Sequence, residues 1–408
     1  MSNLQVVFAN QELPEKWTKS IFLAGPTPRS DDVVSWRPQA VEILEELGYD
    51  GVVFVPESSD GKWQHSYVDQ VDWEERCLNA ADCVLFWIPR ELKTMPAFTT
   101  NIELGVWLDS GKAVVGFPEH APKTRYIEHY TEKLKVPNAR TLRHTVEQAL
   151  MFIGEGAERS HGERKIPLFI YRTPHFQQWL AAQKDRCNRL VDARVLWNFR
   201  VGEQRKYPLF WSIHVDVYVE EEDRNKSNEI IIARPDISSV LAYYPRPNIL
   251  DSEICLVKEF RSPNTSPDGF VWELPGGSSP KQEDPFQTAS DELFEETGLK
   301  IPRDRFERHS HIQRRQLAAT VTTHGAYLFS VRLEEKELKY LKRQKGVMHG
   351  NHITDSEQTY VEVVTLDQIL NPYFPQSRVE AKPGENVFPY CDWSTIGMIF
   401  SVLGQRSF

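Results

Sequence analysis

Cysteine is scarce in this chain of 408 residues: Cys77, Cys83, Cys187, Cys255 and Cys391 stand far apart and form no CxxC pair. That spacing indicates neither a disulfide framework nor a zinc knuckle, and it points to a reducing, cytoplasmic setting. Long apolar runs are also missing. Nowhere do about 18 apolar residues follow one another, and residues 1–19 are polar without a basic start and an apolar stretch, so neither a membrane span nor an export signal is expected. Positive charge is in deficit, 48 Lys and Arg against 58 Asp and Glu. The molecule as a whole therefore lacks the basic field that non-specific nucleic-acid binding uses, and small anions would need locally focused sites. There is no internal repeat and no low-complexity tract. What remains, 40% hydrophobic and 26% charged residues, is the composition of soluble folded proteins, in a chain long enough for two or three domains with full cores.

From Ser20 onward short, uniformly apolar runs alternate with helical stretches. The runs are Ile21-Phe22-Leu23-Ala24, Val52-Val53-Phe54-Val55, Cys83-Val84-Leu85-Phe86-Trp87-Ile88 and Ala113-Val114-Val115; the helices are expected near residues 35–47, 69–79, 101–109 and 142–152. This is the pattern of a doubly wound parallel sheet buried on both faces. Ligands of such sheets gather beyond the C-terminal strand ends, here residues 25–30, 56–63 and 89–103. Residues 154–206 read as a linker with a helix near 175–190. Beyond Tyr207 strand candidates at 211–219, 229–233, 254–259 and 326–331 suggest an antiparallel or mixed sheet. The expected fold is α/β for residues 18–153 and α+β with a mixed sheet for 207–408.

Residues 284–299 carry the densest chemistry. Asp284 suits a helix cap, Pro285 the first helical position, and Gly298 a left-handed C-terminal position. Within that helix Glu292, Glu295 and Glu296 stand at i, i+3 and i+4, so three carboxylates share one face while Phe286, Ala289 and Leu293 pack the other. A hard cation, Mg2+ or Mn2+, relieves such repulsion and keeps a phosphate as a further ligand. With Gly277 and Glu283 upstream and Gly298-Leu299 downstream, the spacing resembles the Nudix box. One position departs, because the family's arginine is Asp291 here. Glu259-Phe260-Arg261 and Glu273-Leu274-Pro275-Gly276-Gly277 look like the approach to the box in members that hydrolyse ADP-ribose and related nucleoside diphosphate compounds. The resemblance implies pyrophosphate hydrolysis, with metal on Glu292, Glu295, Glu296 and the Gly276 carbonyl, and a glutamate among Glu295 and Glu296 helping to activate water. It adds Glu357 as a further metal carboxylate, and Arg261 and Glu273 on the substrate side. His309, His311 and His324 have no helical metal-ligand spacing and read as structural or solvent-facing.

In the first half Ile21-Phe22-Leu23-Ala24-Gly25-Pro26, Thr99-Thr100-Asn101-Ile102-Glu103-Leu104-Gly105 and Ser110-Gly111-Lys112 look like nucleoside 2-deoxyribosyltransferases and related nucleotide N-glycosidases. The resemblance implies that Glu103 attacks the anomeric carbon of a sugar. The same residues, Thr100 to Glu103, also read as a capping box. Two positions depart from many transferases: Ala97 where an aspartate stands and Phe22 where a tyrosine stands. Thr27, Arg29 and Ser30 offer a phosphate loop or a plain turn; Asp82, Arg90 and Asn101 are candidates for sugar or base contacts. Trp63, Phe86, Trp87 and Phe98 either stack on a base or fill the core. Together the halves suggest a bifunctional nucleotide-processing enzyme that forms homo-oligomers, takes a small nucleotide substrate, and engages neither nucleic acid nor membrane. A nucleotide-sensing regulator with weakened catalysis, and a Nudix hydrolase with a non-catalytic N-terminal binding or oligomerisation domain, are the alternatives.

Overall fold

The computed structural model describes residues 3–30, 32–59, 66–202, 205, 207–266, 268–278, 284–309, 314–350, 358–371 and 390–404. Trp63, Glu283, His311 and Glu357 lie outside the described residues. The chain divides into two compact units, Met1–Ile232 and Ala233–Phe408.

The first unit is built on a sheet ordered β1-β3-β2-β4-β5-β6, parallel throughout. Its elements are β1 (Gln5–Phe8), β2 (Ser20–Ala24), α1 (Arg37–Glu46), β3 (Val52–Val55), α2 (Tyr67–Ala80), β4 (Cys83–Trp87), α3 (Phe98–Trp107), β5 (Ala113–Gly116), α4 (Arg125–Lys133), β6 (Asn138–Ala139) and α5 (Leu142–Ile153). Every residue of β2, β3, β4 and β5 is buried, as uniform apolarity requires of strands covered on both faces. On one face Phe22, Phe54, Trp73 and Phe86 form a core; on the other Leu23, Leu44, Val53 and Leu85 do. Phe86 and Trp87 thus belong to the core, whereas Phe98 is 66% exposed. β1 is an edge strand that residues 1–19, read only as polar, did not announce.

Residues 154–206, expected to be a linker with a helix, belong to the first unit and hold α6 (Leu168–Tyr171), α7 (Pro174–Lys184) and β7 (Arg189–Val201). β7 pairs antiparallel with β8 (Tyr207–Val219), and β9 (Arg224–Ala233) completes a three-stranded sheet.

The second unit contains β10 (Ile237–Tyr244), β11 (Glu253–Phe260), β12 (Phe270–Glu273), β13 (Gly276–Gly277), α8 (Pro285–Thr297), β14 (Phe306–Arg308), β15 (Arg315–Gln316), β16 (Gly325–Arg332), α9 (Glu335–Arg343), β17 (Met348–His349), β18 (Thr359–Thr365), α10 (Leu366–Leu370) and α11 (Trp393–Leu403). Its sheet is mixed: β10 and β16 run parallel, while β10–β11 and β11–β18 are antiparallel. α8 packs on one face through Ala289 and Leu293 against Val240, Cys255 and Phe329. Ile399, Val402 and Leu403 of α11 cover the other face. Among the described residues no helix is long and apolar enough to cross a membrane.

Candidate functional sites

The first site lies at the C-terminal ends of β1, β2 and β3, where a parallel sheet is open to ligands. A cavity of about 360 Å³ is lined there by Asn10, Gly25, Thr27, Arg37, Pro56, Ser66, Tyr67, Gln70, Val71, Glu74, Thr99 and Glu103. Gly25 is dictated by close approach. A Cβ at that position would stand 2.2 Å from the Trp87 carbonyl oxygen, and its φ is +151°.

Arg37 is the organiser of this loop. Buried at 2% exposure, it donates from Nε to the Leu23 carbonyl at 3.0 Å and from Nη2 to the Gly25 carbonyl at 2.7 Å. Its Nη1 donates to Thr27 Oγ1 at 3.2 Å and to Glu57 Oε1 at 2.5 Å. The Ser35 hydroxyl donates to the same Glu57 carboxylate. A buried guanidinium needs this degree of pairing to offset its lost hydration.

Glu103 is in the second turn of α3. The helix begins at Phe98, capped by Ala97 in the left-handed conformation with no side-chain cap bond. The capping-box reading is therefore replaced: the helix starts earlier than the sequence suggested, and Glu103 lines the cavity instead. Its carboxyl is raised from the ordinary 4.5 to about 7, first by burial and then by the Glu74 carboxylate, with Arg37 opposing the shift. Burial raises Glu74 as well, against the hydrogen bond from Gln70 and the charge of Arg37. Two carboxyls, each held toward its protonated form, share the cavity. Glu74 was not singled out from the sequence; in a helix rich in polar residues only the fold distinguishes it.

The remaining N-terminal candidates fall elsewhere. Asp82, expected near the ligand-side strand ends, precedes β4 and so lies at the N-terminal end of that strand, away from the ligand side. It accepts from Ser20 Oγ at 2.9 Å and forms a buried ion pair with Arg159. Arg90 donates to Asn101 Oδ1 at 2.5 Å and to the Lys123 carbonyl at 2.9 Å, so the two tie α3 to neighbouring loops, and neither lines the cavity. Thr27 lines it. Arg29 lies over the Phe98 ring, 5.4 Å from its centroid, and Ser30 is exposed on the same loop.

The second site lies where α8 meets β13. Asp284 caps α8 by accepting from the Phe286 backbone N–H, and Gly298 closes it with φ +69°. Glu296, buried, accepts from the Gly276 N–H at 2.9 Å. Glu292 reaches the same strand: a Cβ on Gly277 would stand 2.1 Å from Glu292 Oε1. Glu295 is exposed. Arg261 bridges Glu259 at 2.8 Å and Glu273 at 3.1 Å. Asp291 accepts two 2.9 Å bonds from Gln287 Nε2, a partner one turn away. His309 Nε2 bonds Ser330 Oγ at 2.7 Å. Among the described residues no three His, Cys, Asp or Glu side chains are grouped to hold a metal ion. The oxygen donors of Glu292 and Glu296, packed where only glycine leaves room, nonetheless suit a hard cation.

Residues 18–121 match the family model described as nucleoside 2-deoxyribosyltransferase like, and residues 247–383 match that of the NUDIX domain. The chain is a fusion of these two domain types. The β13–α8 carboxylates lie inside the NUDIX match, and Glu103 and Glu74 inside the deoxyribosyltransferase-like one. Among curated proteins none matches the chain.

Proposed function

We propose that the chain is a cytoplasmic two-site enzyme of nucleotide processing. Its NUDIX domain hydrolyses the pyrophosphate linkage of a nucleoside diphosphate derivative or a nucleoside triphosphate; its N-terminal domain cleaves, or transfers at, the N-glycosidic bond of a nucleotide. The observation that carries the second half is the pair Glu103 and Glu74 in one cavity, both raised, beside a buried arginine paired with Glu57.

Such a pair divides the work of glycosyl transfer. An ionised Glu103 supplies the oxygen that bonds the anomeric carbon as the C–N bond breaks, and a protonated Glu74 gives its proton to the departing base. Glu74 then takes a proton from water, which attacks the anomeric carbon and frees Glu103. Arg37 holds the loop from Leu23 to Thr27 in place under the sugar. Thr27, with Arg29 and Ser30 on the same loop, is the proposed phosphate contact.

In the NUDIX domain Glu292, Glu296 and the Gly276 carbonyl would hold Mg2+ or Mn2+, with Glu295 and Glu357 as further carboxylates. A cation bound there would polarise a phosphoryl oxygen and lower the pKa of bound water. The chain's own contribution is position: the Gly276 N–H orients Glu296, and Arg261 holds Glu259 and Glu273 together at the neighbouring strand ends.

The proposed partner is a second copy of the chain. Phe98, Ile102 and Val106 of α3 are 66%, 71% and 67% exposed, an apolar stripe at i, i+4 and i+8 that a water-facing helix does not otherwise carry.

The deciding experiment incubates the full chain with a panel of nucleotides and Mg2+ and measures free base and released phosphates. Both products support the assignment. Phosphate release alone would reduce the N-terminal domain to a binding platform, and tight binding without either product would make the chain a nucleotide sensor.

A further inference from the structure

Glu74 is held in the cavity by more than its own helix. Its Oε1 accepts a 2.6 Å hydrogen bond from Gln70 Nε2, one turn earlier on α2. Gln70 is itself only 7% exposed, and its Oε1 accepts a 3.2 Å bond from Asn10 Nδ2. Three side chains thus form a line with a direction, from Asn10 through Gln70 to Glu74. While the Gln70 nitrogen donates, the oxygen of Glu74 that receives it serves as the carbonyl-type acceptor, and the proton is favoured on the other oxygen.

Asn10 is placed by the edge strand β1. Its φ of +64° is a conformation that asparagine tolerates better than most residues. The turn around it is tied on three sides: the Ala9 N–H donates to the Glu57 carbonyl at 3.0 Å, the Gln11 N–H to the Phe8 carbonyl at 3.1 Å, and Trp73 Nε1 to the Gln11 carbonyl at 2.9 Å. Glu57 is the residue that pairs with Arg37, so one turn is anchored to α2 and to the neighbour of the buried arginine. The charge that acts on Glu74 is Arg37 on α1, paired with Glu57 after β3, and Glu74 in turn raises the facing Glu103 on α3.

We propose that Asn10 and Gln70 are positioning residues of the N-terminal site: they fix Oε1 of Glu74 as an acceptor, so that this carboxyl gains and loses its proton at its other oxygen. The inference rests on the reading of Glu74 as the acid of that site. It gives the added strand a purpose, because the end of the relay lies in the turn that follows β1, before the stretch that matches the deoxyribosyltransferase-like family.

The test separates the relay from the reaction. Carboxyl 13C NMR of the full chain, with Glu74 assigned through Glu74→Gln, follows its titration, and base release is measured over the same pH range. Two uncharged variants remove the relay: Gln70→Met deletes the donor, and Asn10→Gly frees the Gln70 amide while keeping the left-handed turn. Donation to a carboxylate favours its ionised form, so the Glu74 midpoint rises by roughly one pH unit in Gln70→Met and by less, in the same direction, in Asn10→Gly. The alkaline limb of base release moves with it. Midpoints unchanged in both variants, with thermal melting showing both folded, overturn the relay; if Gln70→Met does not fold, Asn10→Gly decides alone. A moved midpoint with an unmoved limb keeps the relay and overturns Glu74 as the acid.

Discussion

Glu103→Gln should stabilise the protein while removing base release, and the size of the gain follows from the cavity. Moving the Glu103 carboxyl from 4.5 to about 7 costs the folded state about 3 kcal/mol once both states are ionised. The sign runs as for any acid whose folded value is raised. Between pH 4.5 and 7 the folded chain holds more protons than the unfolded one, so stability falls as pH rises, and the cost is complete above pH 7. Glutamine has no charge to desolvate. Allowing for the amide's own burial, a gain of about 2 kcal/mol at pH 8 is expected, or roughly 4–8 °C in the melting of a unit this size. At pH 4.5 the difference should nearly vanish. The assay is differential scanning calorimetry of wild type and variant across that range, beside chromatography of free base. A variant less stable than wild type at pH 8, or one whose advantage does not grow with pH, would refute the placement of Glu103 in a desolvating cavity. Stabilisation with undiminished base release would refute its role as nucleophile.

In the NUDIX domain, Glu296→Gln should abolish Mg2+-dependent phosphate release, by at least a hundredfold in turnover, while near-native melting shows the fold intact. Gly277→Ala forces a methyl into the space of the Glu292 carboxylate and should cost a similar factor without touching base release; equal turnover would show that Glu292 has no part in the site. Asp82→Ala leaves Arg159 buried without its ion-pair carboxylate, so urea denaturation should show a loss of about 3 kcal/mol, with the Michaelis constant for base release unchanged in whatever fraction folds. Asp291→Arg should lower the Mg2+ concentration needed for half-maximal phosphate release, since a cation beside Glu292 offsets carboxylate repulsion; a higher requirement would give the Gln287–Asp291 bond a role of its own.

How much of this was legible in the sequence depended on whether the signal was local. Uniform apolarity marked β2 to β5 because parallel strands are covered on both faces, and the Asp284, Pro285 and Gly298 positions marked α8 because helix ends have their own chemistry. β10 escaped because Ser238, Ser239, Tyr243 and Tyr244 dilute its apolar run, although it pairs with β16 at the centre of the second sheet. Asp82 was misplaced for a related reason: adjacency to an apolar strand does not say which end of it faces the ligand. Glu103 was found by resemblance, but whether its carboxyl capped a helix or faced a cavity turned on where α3 begins, and Ala97 in a left-handed conformation leaves no trace in residue type.

Glu74 and Gln70 illustrate the converse limit. On α2 they are two polar residues among many, and side chains at i, i+4 are neighbours on any helix. What distinguishes them is contact with Asn10, sixty residues away from Gln70 along the chain, and with a cavity whose other carboxyl comes from α3. Pairing between such distant residues is set by the sheet order β1-β3-β2, which brings the turn after β1 over the start of α2. The chemistry of this site is therefore a property of topology before it is one of sequence. A change that spared Glu103 and Glu74 but displaced β1 should alter the protonation of Glu74 as surely as a change at Gln70.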